Sequence, residues 1–123
     1  SLCQKAEVTG AVVVSTPQDV ALLDAKKAVA MFRKLETPVL GLVENMSVFV
    51  CPHCGQPSHI FGHDGAKAEA QRLGLPFLGE IPLHLDIRVS GDAGAPIVAT
   101  APEAPQSRAF RDLAAKLIES GKA

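Results

Sequence analysis

The sequence predicts an α/β fold with a mainly parallel sheet. Three observations point there. Short strand-like runs at residues 11–15, 39–43 and 77–81, the first of them rich in β-branched valine, alternate with stretches of helical periodicity. The first two runs are nearly continuously apolar rather than alternating, the pattern of a strand covered on both faces. The chain has no Trp, no Tyr and five Phe, so its core is built from Ala, Val, Leu and Ile, which fill the space between helix and sheet.

The elements follow in order. After the first run, Thr16 is placed as an N-cap and Pro17 as the first helical residue. Asp19 then falls in the first turn, where an acid favours the helix dipole more readily than it serves as a catalytic base. Val20, Leu23, Ala28, Met31 and Leu35 recur at near-helical spacing and predict a helix over about 17–35. Thr37-Pro38 ends it, because the residue before proline avoids the α region. Residues 39–43 form the second strand, completing a strand–helix–strand unit. Periodicity then fails from Glu44 to about Gly65, a stretch that holds Pro52, Gly55, Pro57, Gly62 and Gly65. It reads as a long functional loop, 44–65, with room for a short hairpin. Residues 66–73 are helical, with Gly74 placed to end the helix. Residues 77–81 are the third strand, closed by Pro82. Residues 83–91 form a short helix or turn, and 92–105 an Ala/Pro/Gly-rich loop. Phe110, Leu113, Leu117 and Ile118 mark a final amphipathic helix over 107–119.

Composition narrows the function. Twelve Lys and Arg face 13 Asp and Glu, for a formal net charge of −1. There is no basic excess to hold a phosphate backbone, so nucleic acid is not expected as a partner. No apolar run reaches the ~20 residues of a membrane span, and residues 1–10 carry no apolar core of a signal peptide. A cytoplasmic location is expected.

Three cysteines, Cys3, Cys51 and Cys54, cannot form a closed disulfide framework. Cys51-Pro52-His53-Cys54 carries the chemistry. Two thiols separated by two residues reach one metal or cluster from a tight turn. Three readings stand beside that of two unmodified surface cysteines. A thioredoxin-type redox pair needs a helix through the motif, which Gly55 and Pro57 oppose. A zinc site completed by His59 and His63 gives Cys₂His₂ with unusually short spacing. Half of a four-thiolate site, completed by the same patch of a second copy, suits zinc or a [4Fe–4S] cluster. Phe49 and Phe61 flank the pair and suit apolar cover or core packing. Asn45 follows the second strand at its carboxyl end, where open α/β sheets bind ligands; a turn role is the plainer reading. His84 reads as a surface or packing residue. Cys3 shows no partner. Neither G-x-x-x-x-G-K-[ST] nor a G-x-G-x-x-G after a strand is present.

Taken together, the segments 14–22 (VSTPQDVAL), 41–47 (GLVENMS), 49–55 (FVCPHCG), 60–63 (IFGH) and 77–83 (FLGEIPL) resemble the Mrp/ApbC family over nearly the whole chain. These are MinD-related P-loop ATPases that carry iron–sulfur clusters. The resemblance implies a partial P-loop NTPase fold, three-layered and Rossmann-like, with residues 1–123 forming its C-terminal part. It implies a homodimer whose paired Cys51 and Cys54 hold a bridging [4Fe–4S] cluster for delivery to apo-proteins. Asn45 matches the family's adenine-contacting position, and Pro82 lies near a second base-side loop. ATP and Mg²⁺ would bind mainly through the phosphate loop and acidic residue that the family carries upstream. Lacking those, the chain is expected to be inactive as an ATPase alone. A partial sheet also exposes a strand edge, so a dimer or larger assembly is expected.

Overall fold

The computed structural model describes residues 5–62 and 64–120. Its elements are β1 (Ala11–Ser15), α1 (Asp19–Lys34), β2 (Val39–Val50), β3 (Pro57–Ser58), α2 (Gly65–Leu73), β4 (Phe77–Leu83), α3 (Leu85–Asp92), α4 (Ile97–Thr100) and α5 (Pro105–Glu119).

Strand β2 organises the sheet. It pairs in parallel with β1 from Ala11↔Val39 to Ser15↔Glu44 and with β4 from Leu42↔Phe77 to Phe49↔Leu83. At its far end it turns back on itself, pairing antiparallel with β3 through Phe49↔Ser58 and Val50↔Pro57. Because successive side chains point to opposite faces, β2 feeds two cores. Leu42 joins Val13, Ala25, Val29 and Ala70 under α1 and α2. Val43 joins Leu78 and Ile81, with Phe110, Leu113 and Leu117 of α5 packed against them. The result is the expected three layers, helices on both faces of a mainly parallel sheet.

Five local expectations are corrected. The first concerns the buried face of α1, which is Leu22, Ala25 and Val29; Val20 and Leu23 are 76% and 61% exposed. Both sets have helical spacing, but they differ by part of a turn, and only the first faces β2. Second, α1 starts at Asp19 with Gln18 as N-cap and no capping side chain; the Thr16 hydroxyl donates to Gln18 Oε1 instead (3.0 Å). Third, the second strand does not stop at Val43. It runs seven residues further, through the start of the expected loop, because its polar residues find partners: Ser47 Oγ donates to the Ile81 carbonyl (3.3 Å), and Glu44, 1% exposed, accepts the Ala66 N–H. Fourth, Pro82 lies within β4, which continues to Leu83. Proline is tolerated there because, among the described strands, β4 pairs only with β2, leaving one edge that needs no N–H donor. Fifth, the expected loop at 92–105 contains the single-turn α4.

Two glycines have steric roles. Gly74 ends α2 in the left-handed region (φ 69°), as expected of a residue without a Cβ. Gly65 starts α2 where a Cβ would lie 2.6 Å from the Pro17 carbonyl oxygen, so the β1–α1 link and α2 meet backbone to backbone. Every buried side-chain nitrogen and oxygen among the described residues has a hydrogen-bond partner. No helix among them is long and apolar enough to cross a membrane.

Candidate functional site

The thiol pair sits at the tip of the β2–β3 hairpin. Cys51 follows the last residue of β2, and its N–H donates to the Gln56 carbonyl (3.1 Å), while its own carbonyl accepts from Gly55 N–H (2.9 Å). These two bonds close a tight turn around residues 52–55. Gly55 takes φ 73°, the left-handed value such a turn requires. The turn aims donors inward. The backbone N–H of Cys54, then that of His53, then the Cys54 thiol, hydrogen-bond the Cys51 sulfur, and together they hold its pKa below the ordinary thiol range. Hydrogen bonds to the charged form favour it, so the turn is built to stabilise a thiolate. Cys51 is half-buried and Cys54 exposed, and neither is in a disulfide. A pair of soft sulfur donors in a turn that favours thiolate fits zinc or an iron–sulfur cluster.

The other expected residues fall as follows. Asn45 lies in β2, opposite Ile81 of β4, and its Oδ1 accepts the Met46 N–H (3.0 Å). Met46 has φ 54°, at a register irregularity of the β2–β4 pairing; Asn45 thus lies within the strand rather than in a turn after it, and its amide donors are not used by the bond to Met46. Pro82 lines a cleft of about 340 Å³ with Ser47, Glu80, His84 and Gln106, at the carboxyl ends of β2 and β4. Asn45 is not in that lining but lies one register step away. His84 caps α3: its Nδ1 accepts from Asp86 N–H (3.0 Å) and lies 3.4 Å from Gln106 Nε2. Asp19 stands in the first turn of α1. His59 is held by the hairpin, Nδ1 to the Ser47 carbonyl at 3.2 Å. Cys51, Cys54 and His59 do not converge as a three-ligand group among the described residues. His63, Cys3 and the last three residues of the tail lie outside the described residues.

One cluster escaped the sequence reading. Glu44, Asp64 and Glu80 place carboxylate oxygens within 4.8 Å of one another. They lie far apart in sequence, and the register pair Glu44↔Glu80 brings two of them together. The signal was Glu44 itself, an acid immediately after an apolar strand run.

Helices on both faces of a mainly parallel sheet, with the cysteine hairpin at the carboxyl end of its central strand, form an α/β arrangement that P-loop NTPase domains share. Solved members superpose on it: the nucleotide-binding protein in complex with ADP from Archaeoglobus fulgidus (TM-score 0.69, 36% identity, 85% of this chain and 42% of that one), and the cell division ATPase MinD of Pyrococcus furiosus (TM-score 0.71, 25% identity, 91% and 43%). Within that class the chain belongs to the ParA family of NUBPL iron-transfer P-loop NTPases, whose model matches residues 1–118. It is 52% identical over 119 residues to the iron-sulfur cluster transfer protein NUBPL of Dictyostelium discoideum, covering 97% of this chain and 37% of that protein. It is 50% identical over 114 residues to the iron-sulfur cluster carrier protein of Escherichia coli K12, covering 93% and 31%. The chain thus spans about a third of the length of these relatives.

Proposed function

We propose that this chain is the cluster-holding part of an iron–sulfur carrier. Cys51 and Cys54 ligate a [4Fe–4S] cluster jointly with the same pair of a second copy, and the cluster is cargo for delivery to apo-proteins. The observation that carries this reading is the closed turn at the hairpin tip, which places Cys51 and Cys54 three residues apart and lowers the Cys51 pKa toward the thiolate that iron requires. A [4Fe–4S] cluster takes four thiolates, and one turn supplies two, so a two-fold pair of turns completes the set. The exposure of Cys54 agrees with a site that both receives and releases its cargo.

The Asn45 amide and the Pro82 cleft belong, in this reading, to the adenine side of a nucleotide site. The phosphates and Mg²⁺ are held by the remainder of the full-length protein, so nucleotide hydrolysis is not a property of this chain alone. The reading also requires a reducing compartment, the cytoplasm by the sequence expectation, since the thiols must stay reduced; one relative from Arabidopsis thaliana is named as mitochondrial.

Anaerobic reconstitution with iron and sulfide tests the reading. About four iron and four sulfide per two chains are expected at the dimer peak of a sizing column, and Cys51→Ala or Cys54→Ala should abolish both. Unchanged iron and sulfide in both variants, or stoichiometric zinc in a monomer that refuses iron, would overturn it.

A further inference from the structure

We propose that Cys51 and Cys54 also form a reversible modification site: the pair closes into a disulfide within the hairpin on reaction with a low-molecular-weight disulfide of the glutathione type. In that state the hairpin presents no thiolate and takes up no cluster. The effect on uptake rests on the carrier reading above; the closure itself does not.

The geometry carries the closure. The two cysteines stand three residues apart in one closed turn, whose backbone bonds run from Cys51 N–H to the Gln56 carbonyl and from Gly55 N–H to the Cys51 carbonyl. The turn that joins them is closed by the Cys51–Gly55 bond of 2.9 Å, and turn residues three apart have Cα atoms within about 7 Å, close to the span of about 4.4–6.8 Å that a disulfide bridges. Gly55 has nothing within 4 Å of where a Cβ would stand, so the turn has room to tighten. The pairs Phe49↔Ser58 and Val50↔Pro57 hold the foot of the hairpin, so tightening at the tip leaves the sheet alone. Cys51 is half-buried and Cys54 exposed, so a small disulfide reaches both.

The exchange balances without any other reactant. The Cys51 thiolate attacks one sulfur of the glutathione disulfide; that S–S bond breaks, and one glutathione leaves as thiolate. Cys54 gives its proton to solvent and attacks the Cys51 sulfur of the mixed disulfide, and the second glutathione leaves. Two protein thiols are oxidised, one small disulfide is reduced to two thiols, and excess thiol drives the reverse.

The test uses the full chain, stripped of metal, in a Cys3→Ser background, incubated anaerobically with graded ratios of oxidised to reduced glutathione. Titratable thiols are expected to fall from two to none without any retained adduct by mass, and to return to two on adding dithiothreitol. A further Cys54→Ser change should leave glutathione trapped on Cys51. Retention of both thiols at every ratio, or stable glutathione adducts on the pair, would overturn closure. In a second arm the oxidised chain is offered iron and sulfide. Uptake equal to that of the reduced chain would overturn the exclusion of cargo. Failure of the reduced chain to load iron, with closure observed, would instead overturn the carrier reading and leave the disulfide standing.

Discussion

A methyl group placed on Gly65 would stand 2.6 Å from the Pro17 carbonyl oxygen and 3.0 Å from Leu22 Cδ1. An ordinary contact is about 3.5 Å, so the gap must open by roughly 0.9 Å. The nearer neighbour is backbone, held in a proline whose φ is fixed, and the other is a core side chain only 8% exposed. Neither gives way without moving α1 against α2. Overpacking of this kind costs about 1–3 kcal/mol, and the backbone contact places Gly65→Ala in the upper half, about 2 kcal/mol or more. Gly91→Ala is the control: nothing lies within 4 Å of its added Cβ, and inside α3 alanine gains about 0.5–1 kcal/mol over glycine. Urea unfolding followed by circular dichroism separates the two. With a slope of about 1–3 kcal/mol per molar, the Gly65→Ala midpoint should drop by about 1 M while that of Gly91→Ala holds or rises. A Gly65→Ala midpoint at or above wild type would refute the claim that α2 and the β1–α1 link meet backbone to backbone.

Two further outcomes are expected. Leu42→Ala, at a position 0% exposed in the α1–α2 core, should cost about 2–5 kcal/mol; a loss below about 1 kcal/mol in urea unfolding would contradict the packing described. Cys51 has a folded-state pKa below its ordinary value, so its contribution to stability is present above the unfolded thiol pKa and is lost as pH falls through the lowered native value. Alkylation of Cys51 by iodoacetamide should accordingly reach half its maximal rate at lower pH in the native chain than in urea, and identical midpoints would show that the turn does not stabilise the thiolate.

Much of this architecture is legible in residue order, for physical reasons. The buried strands at 11–15 and 39–43 announce themselves because parallel strands covered on both faces are continuously apolar. The stop at Thr37-Pro38 and the Gly74 cap are backbone constraints that local sequence carries. What was hidden lay in tertiary pairing. Glu44 and Ser47 read as the start of a loop, and only the Ala66 N–H and the Ile81 carbonyl, 22 and 34 residues away, make them the interior of a strand. The buried face of α1 was misplaced because Val20-Leu23 and Leu22-Ala25 have the same spacing, and the sheet decides between them. The thiol pair was legible as a motif, but the turn that directs N–H groups at one of its sulfurs depends on the hairpin, whose two-residue return strand gives no periodic signal.

That hairpin is an extension of the strand at the centre of the sheet. A single twelve-residue β2 passes through the fully buried Leu42 and ends half-exposed, so its amide protons should exchange along a gradient from Leu42 to Val50. Leu42 and Val43, flanked by β1 and β4, open only with the whole domain, whereas Val50 is bonded to a return strand of two residues. Local opening at that end frees the thiol turn without melting the layers beneath it. The chain therefore joins its slowest-exchanging segment to a fast one along one continuous backbone, and the tip can rearrange many times within the lifetime of a single folded core.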